Sequence, residues 1–71
     1  MATQYQDARG RLYRLRASSR GLEVLRDGTP IGHVVADRNV WVPRDLDGRA
    51  VVDMAFANRV DALLALAARI P

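Results

Sequence analysis

Asp27-Gly28 separates two runs of strand-forming residues, Leu22 to Arg26 and Ile31 to Ala36. An aspartate-glycine pair in that setting is among the strongest short hairpin signals, because both central residues of a type I′ turn need positive φ and glycine supplies it without steric cost. The pairing it imposes, Arg26 with Thr29, commits the chain on either side to an antiparallel sheet. A second turn cluster, Ser18-Ser19-Arg20-Gly21, follows an earlier run, Leu12 to Ala17, and pairs Ala17 with Leu22. Asp37-Arg38-Asn39 makes a third break before Val40-Trp41-Val42, where Pro43 ends the strand for want of a donor. Beyond the polar loop Arg44 to Arg49, Ala50 to Phe56 reads either as one more strand or as an extended lead-in.

From Asn58 the apolar period changes. Val60, Leu63, Leu64 and Ala67 follow the i, i+3, i+4, i+7 spacing of a helix. Asn58 serves as N-cap, Asp61 three residues later resembles a capping box with a shorter acid, and Arg69 complements the dipole at the carboxyl end. The expected class is therefore α+β: a small antiparallel meander of three to five strands packed by one carboxyl-terminal helix. Residues 1–71 form a single domain, with 1–9 a flexible arm, 10–56 the meander and 58–70 the helix. With 71 residues such a domain buries a modest fraction of its surface and has a small net stability.

Charge is distributed unevenly. All eleven basic residues are arginine. That usage fits a G+C-rich genome, such as an actinobacterium or one of its phages, and it also fits selection for planar donors suited to phosphate, guanine or carboxylate. Residues 1–26 carry six arginines against Asp7 and Glu23, whereas residues 27–71 carry five against six aspartates. The net charge of +3 is mild, so any attraction to nucleic acid must come from the local stripe.

The pairings assign faces, since side chains alternate along a strand. Leu15, Val24 and Ile31 line up on the core side, joined by Tyr13, Leu22, His33, Val35, Val40 and Val42. Leu12, Arg14, Arg16, Glu23, Leu25, Val34 and Trp41 take the opposite face. A face that mixes Arg14, Arg16 and Trp41 suits nucleic acid, with arginine on phosphates or base edges and indole on sugar or base. Arg9, Arg11 and Arg20 stand at its margins. The same face also reads as an ordinary Arg16–Glu23 cross-strand pair beside a space-filling Trp41, or as a surface for an acidic protein partner. On the helix, Ala62, Leu66 and Ile70 fall outside the expected core stripe and are candidates for contact with a second copy of the chain or another partner.

The order of elements, LYRLRASSRGLEVLRDGTPIG, then VWVP, then FANRVDALLAL, resembles two families of DNA-binding domain. One is the plant ethylene-response-factor type; the other is the arm-site-binding domain of phage and conjugative-transposon integrases. The resemblance covers residues 12–66 and implies a sheet that enters the major groove, arginines that read bases, and a helix packed behind. The acidic turn RDLDG departs from that pattern.

Enzymatic readings find little support, and no catalytic residue is assigned. His33 has no evident nucleophile and a core-facing parity, and Ser18 and Ser19 serve their turn. Asp45, Asp47 and Gly48 approach a calcium loop, but that alignment places Pro43 and Met54 at its first and last ligand positions. GTPIG is too short for a phosphate cradle and does not precede a helix. With no cysteine there is no disulfide or thiolate zinc site, and no metal or cofactor is expected. No apolar run reaches signal-peptide or membrane-helix length, so a cytoplasmic protein without membrane contact is expected. The working reading is a binding module for nucleic acid, with protein binding or homodimer formation as the alternative.

Overall fold

The computed structural model describes residues 3–70. Five strands, β1 (Thr3–Gln6), β2 (Leu12–Ser18), β3 (Gly21–Arg26), β4 (Thr29–Asp37) and β5 (Val40–Arg44), form one antiparallel meander in sequential order, and α1 (Arg59–Arg69) packs on β4 and β5. This is the α+β class that the turn signals imply. Of the arm expected over residues 1–9, Met1 and Ala2 lie outside the described residues. Thr3–Gln6 are not an arm but an edge strand. Tyr5 holds it there, half-buried and set obliquely on Tyr13 with ring centroids 6.4 Å apart, while Gln4 and Gln6 alternate to the outside.

The turns follow their chemistry. Asp27 and Gly28 adopt φ of 50° and 87°, as the type I′ pair requires, and Arg26 pairs with Thr29. Ala17 pairs with Leu22 and Leu15 with Val24. The β1–β2 hairpin, Asp7-Ala8-Arg9-Gly10-Arg11, and the turn after β5, Asp45-Leu46-Asp47-Gly48-Arg49, share one pattern, Asp-x-x-Gly-Arg, and one geometry. In each, the aspartate carbonyl accepts from the glycine amide at 3.0 Å, and its Oδ1 accepts from the amides two and four residues on at 2.9–3.0 Å. Gly10 and Gly48 both sit at positive φ, 81° and 87°, which makes these three-residue turns closed by a left-handed glycine. The acids of RDLDG thus build a hairpin.

One step breaks the simple alternation. Val24 pairs with Gly32 and Leu25 with Pro30, so Ile31 is an extra residue in β4. Pro30 has no N–H for the ladder, and proline inside a sheet settles at bulges. Every residue of β4 and β5 beyond the bulge therefore faces opposite to the register drawn from the turns. Val34 and Pro43 are buried in the core and Trp41 packs against it, while His33, Val35, Val40 and Val42 stand on the side away from the helix.

The helix is capped as expected, with Asn58 Oδ1 accepting from the Asp61 amide and Asn58 Nδ2 donating to Asp61 Oδ2, both at 2.9 Å. Its buried stripe is Ala62, Leu63 and Leu66, with Ala67 and Ile70 partly covered, and Leu64 is exposed. Of the expected partner surface, Ala62 and Leu66 are intramolecular core and Ile70 packs partly buried against it, because the sheet meets the helix one position round from the anticipated stripe. Arg26 Nη1 reaches across to the Ile70 carbonyl at 2.6 Å and closes the helix's carboxyl end. Beyond β5 the chain returns along it: Val51 N donates to the Pro43 carbonyl, and Phe56 exchanges both backbone bonds with Trp41 at 2.7 and 2.9 Å. Residues 52–55 bow out between these anchors, so Ala50 to Phe56 is a broken edge strand and not a regular one.

Gly32 is where sheet and helix approach most closely. A β-carbon there would lie 2.4 Å from the Arg44 carbonyl oxygen and 2.9 Å from Leu66 Cδ1. Gly32→Ala should therefore cost roughly 1 to 3 kcal/mol through overpacking, read as a lower urea midpoint with an unchanged slope. An unchanged midpoint would show that the contact is looser than described.

Candidate nucleic-acid interface

The sheet side away from α1 is uncovered over β1 to β3. Gln4, Gln6, Leu12, Arg14, Arg16, Glu23 and Leu25 share it by register. Leu12 and Leu25 floor a depression of about 400 Å³, rimmed by Gln4, Arg14, Arg16 and Asp27. Arg14 is exposed and, among the described residues, makes no ion pair or side-chain hydrogen bond. Arg16 is tied to its cross-strand neighbour: its Nε and Nη2 both donate to Glu23 Oε1, the former at 3.0 Å. The arginine side chain is nonetheless 62% exposed against 18% for the glutamate, so the guanidinium still presents to solvent.

The other arginines assigned to the stripe lie elsewhere. Arg9 and Arg11 belong to the β1–β2 turn and, with Leu64, Ala67 and Ala68, line a cavity beside the helix on the opposite side. Arg20, at the β2–β3 turn, donates from Nη1 to the Leu46 carbonyl at 3.1 Å. Trp41, expected beside Arg14 and Arg16, packs toward the core because the bulge reverses β5. A single strand or duplex on the open face would therefore touch Arg14 and Arg16 without the indole.

His33 and Arg44 had no part in the expected site. They are register partners that share one face, with Glu23 across from His33 on β3. His33 is buried although no helix covers that face, because the 45–49 turn folds over it: Arg44 Nη1 donates to the Gly48 carbonyl at 2.9 Å, and Arg20 holds the same turn at Leu46. Pro30 and Gly32 flanking Ile31 were the signal that could have found this arrangement. No group of three or more possible metal-binding side chains occurs among the described residues, and no helix there is long and apolar enough to cross a membrane. Comparison of the chain with protein-family models, with curated proteins and with solved structures gives no match.

Asp7 titrates below the usual carboxylate value. Burial works to raise its pKa, but the Arg11 and Arg9 amides, the Tyr13 hydroxyl and the Arg11 charge outweigh that and hold it below its usual value. A depressed carboxylate contributes stability that is complete above the unfolded-state pKa and is lost as pH falls through the folded-state value. Asn at this position keeps an acceptor for both amides but no charge. Asp7→Asn should thus lower the urea midpoint at pH 7 and converge with the parent chain below about pH 4; a constant gap between the two across that range would contradict the assignment.

Proposed function

We propose that this chain is a non-enzymatic binding module that lays a nucleic-acid backbone across the open face of β1 to β3. The observation that carries the reading is Arg14, a guanidinium on an uncovered sheet face with no carboxylate partner, set beside an Arg16 that stays 62% exposed while its partner Glu23 is 18% exposed. Arg16 uses Nε and Nη2 on Glu23, and its solvent-facing guanidinium keeps Nη1 for a phosphate, so the carboxylate need not be displaced. Gln4 and Gln6 add hydrogen-bonding groups along the same face, and Leu12 and Leu25 offer an apolar floor for sugar edges. The resemblance in layout to sheet-based DNA-binding domains supports the same placement, with the sheet toward the nucleic acid and the helix behind.

The face carries no stacking aromatic and few base-reading groups. The binding expected is accordingly led by phosphate contacts, weakly dependent on sequence and strongly dependent on salt, with dissociation constants of roughly 1 to 100 μM at physiological salt. Such a module suits an accessory or regulatory protein that accompanies DNA without selecting a site.

Fluorescence anisotropy on mixed-sequence duplex across a salt series tests the proposal. Each lost phosphate contact lowers the slope of log K against log salt by about 0.9, so the Arg14→Ala, Arg16→Ala double variant should flatten it by nearly two such contacts. Glu23→Gln releases Arg16 and should tighten binding by up to about fivefold. Trp41→Ala should leave the slope alone. Absence of binding at low salt, or indifference to the double variant, would overturn the reading and leave the face as a surface for an acidic protein.

A further inference from the structure

A second charged site is built under the 45–49 turn. Arg20, His33, Val35, Arg44, Asp47 and Gly48 line an open cavity of about 250 Å³. His33 is only 7% exposed, and its Nδ1 is buried without a hydrogen-bond partner among the described residues. A buried imidazole nitrogen in that condition is costly, and with less than 1 Å² of its surface accessible it lies behind the cavity wall, where the His33 ring senses what occupies the cavity. Arg20 and Arg44 each spend one Nη1 on a carbonyl of the turn, at Leu46 and Gly48. Those bonds fix both guanidiniums at the cavity, and their remaining nitrogens make no hydrogen bond within the described chain. Planar donors held in place by such anchors are suited to an oxyanion.

Asp47 refines the choice. A carboxylate beside two guanidiniums opposes a bare anion but accepts a hydrogen bond from an anion that still bears a proton. Inorganic phosphate carries at least one O–H at neutral pH, and a phosphate monoester carries one below its second pKa of about 6. Sulfate and an internal phosphodiester carry none. We propose that this cavity binds a protonated phosphate group, either free inorganic phosphate or a terminal monoester, with Arg20 and Arg44 on its charged oxygens, Asp47 accepting from its hydroxyl and the His33 ring at its wall. Its anion-binding groups, Arg20 and Arg44, are distinct from Arg14 and Arg16, which hold diesters on the adjoining part of the same sheet side.

The chain has a single histidine, so the imidazole nitrogens of uniformly ¹⁵N-labelled protein report on this cavity alone. Titration with inorganic phosphate at constant ionic strength should move the His33 Nδ1 resonance saturably, with sulfate weaker by at least about fivefold. Arg20→Ala should weaken phosphate by roughly tenfold, the loss of one charge-assisted contact. Asp47→Asn should bring phosphate and sulfate to similar affinity. The Arg14→Ala, Arg16→Ala double variant should respond to inorganic phosphate as the parent does, which separates this proposal from the one above. A resonance that does not move would overturn the proposal. Equal shifts in phosphate, sulfate and chloride would overturn it too. In a second arm, an oligonucleotide with a 5′-phosphate that moves the resonance where its unphosphorylated twin does not assigns the group to a nucleic-acid end. Equal behaviour of the two oligonucleotides, with inorganic phosphate still bound, assigns it to free phosphate.

Discussion

Ile31 is one residue more than β3 can pair with, and the two faces of the sheet beyond it depend on that surplus. Pro30 removes a ladder donor on one side of it, and Gly32 on the other lets the helix come close enough for Leu66 to rest on the backbone. The side-chain period of a strand is two, so a single inserted residue reverses every residue that follows. Val34 and Trp41 are delivered to the core by this step, and His33 is carried to the side the helix cannot reach. A straight β4 would have placed His33 beneath the helix and left the indole in solvent.

Burying His33 without a helix requires another cover, and the chain supplies it by using one turn design twice. Asp7 and Asp45 each gather two backbone amides on one carboxylate oxygen and let a left-handed glycine reverse the chain. At the amino-terminal end this makes the edge hairpin that brings Tyr5 onto Tyr13. After β5 it makes a cap across the sheet, pinned by Arg20 from one side and Arg44 from the other. Several arginines are therefore structural: Arg26 closes the helix, and Arg20 and Arg44 hold a turn. Arg14 and Arg16 are the pair left facing solvent on an open surface, a smaller basic patch than the charge of the first 26 residues suggests.

The hairpins at Gly21 and Gly28 and the capped helix were legible because each rests on local chemistry: a glycine at positive φ, an asparagine cap, a change of period from two to 3.6. β1 was not legible, since TQYQ has one large apolar residue and gains its place only by Tyr5 meeting Tyr13. The helix face was misjudged for a related reason. Leu63 belongs to two plausible stripes, and the one used, through Ala62 and Leu66, is chosen by where Gly32 opens room. Of the candidate site, the placement of Arg14 and Arg16 was correct because they precede the bulge, whereas Trp41 and His33 exchanged faces because they follow it.

The sequence alone determined most local moves of this chain, the strands from Leu12 onward, the turns at Gly21 and Gly28 and the capped helix, because these depend on backbone preferences within a few residues. It also determined that positive charge would gather near the first hairpins. Which arginines remain available, which face holds the indole, and that a lone histidine is buried beside two guanidiniums and a carboxylate were decided only in three dimensions. Those outcomes depend on register across the sheet and on the space between sheet and helix, and a one-residue bulge alters both while leaving the turn and strand signals on either side of it unchanged.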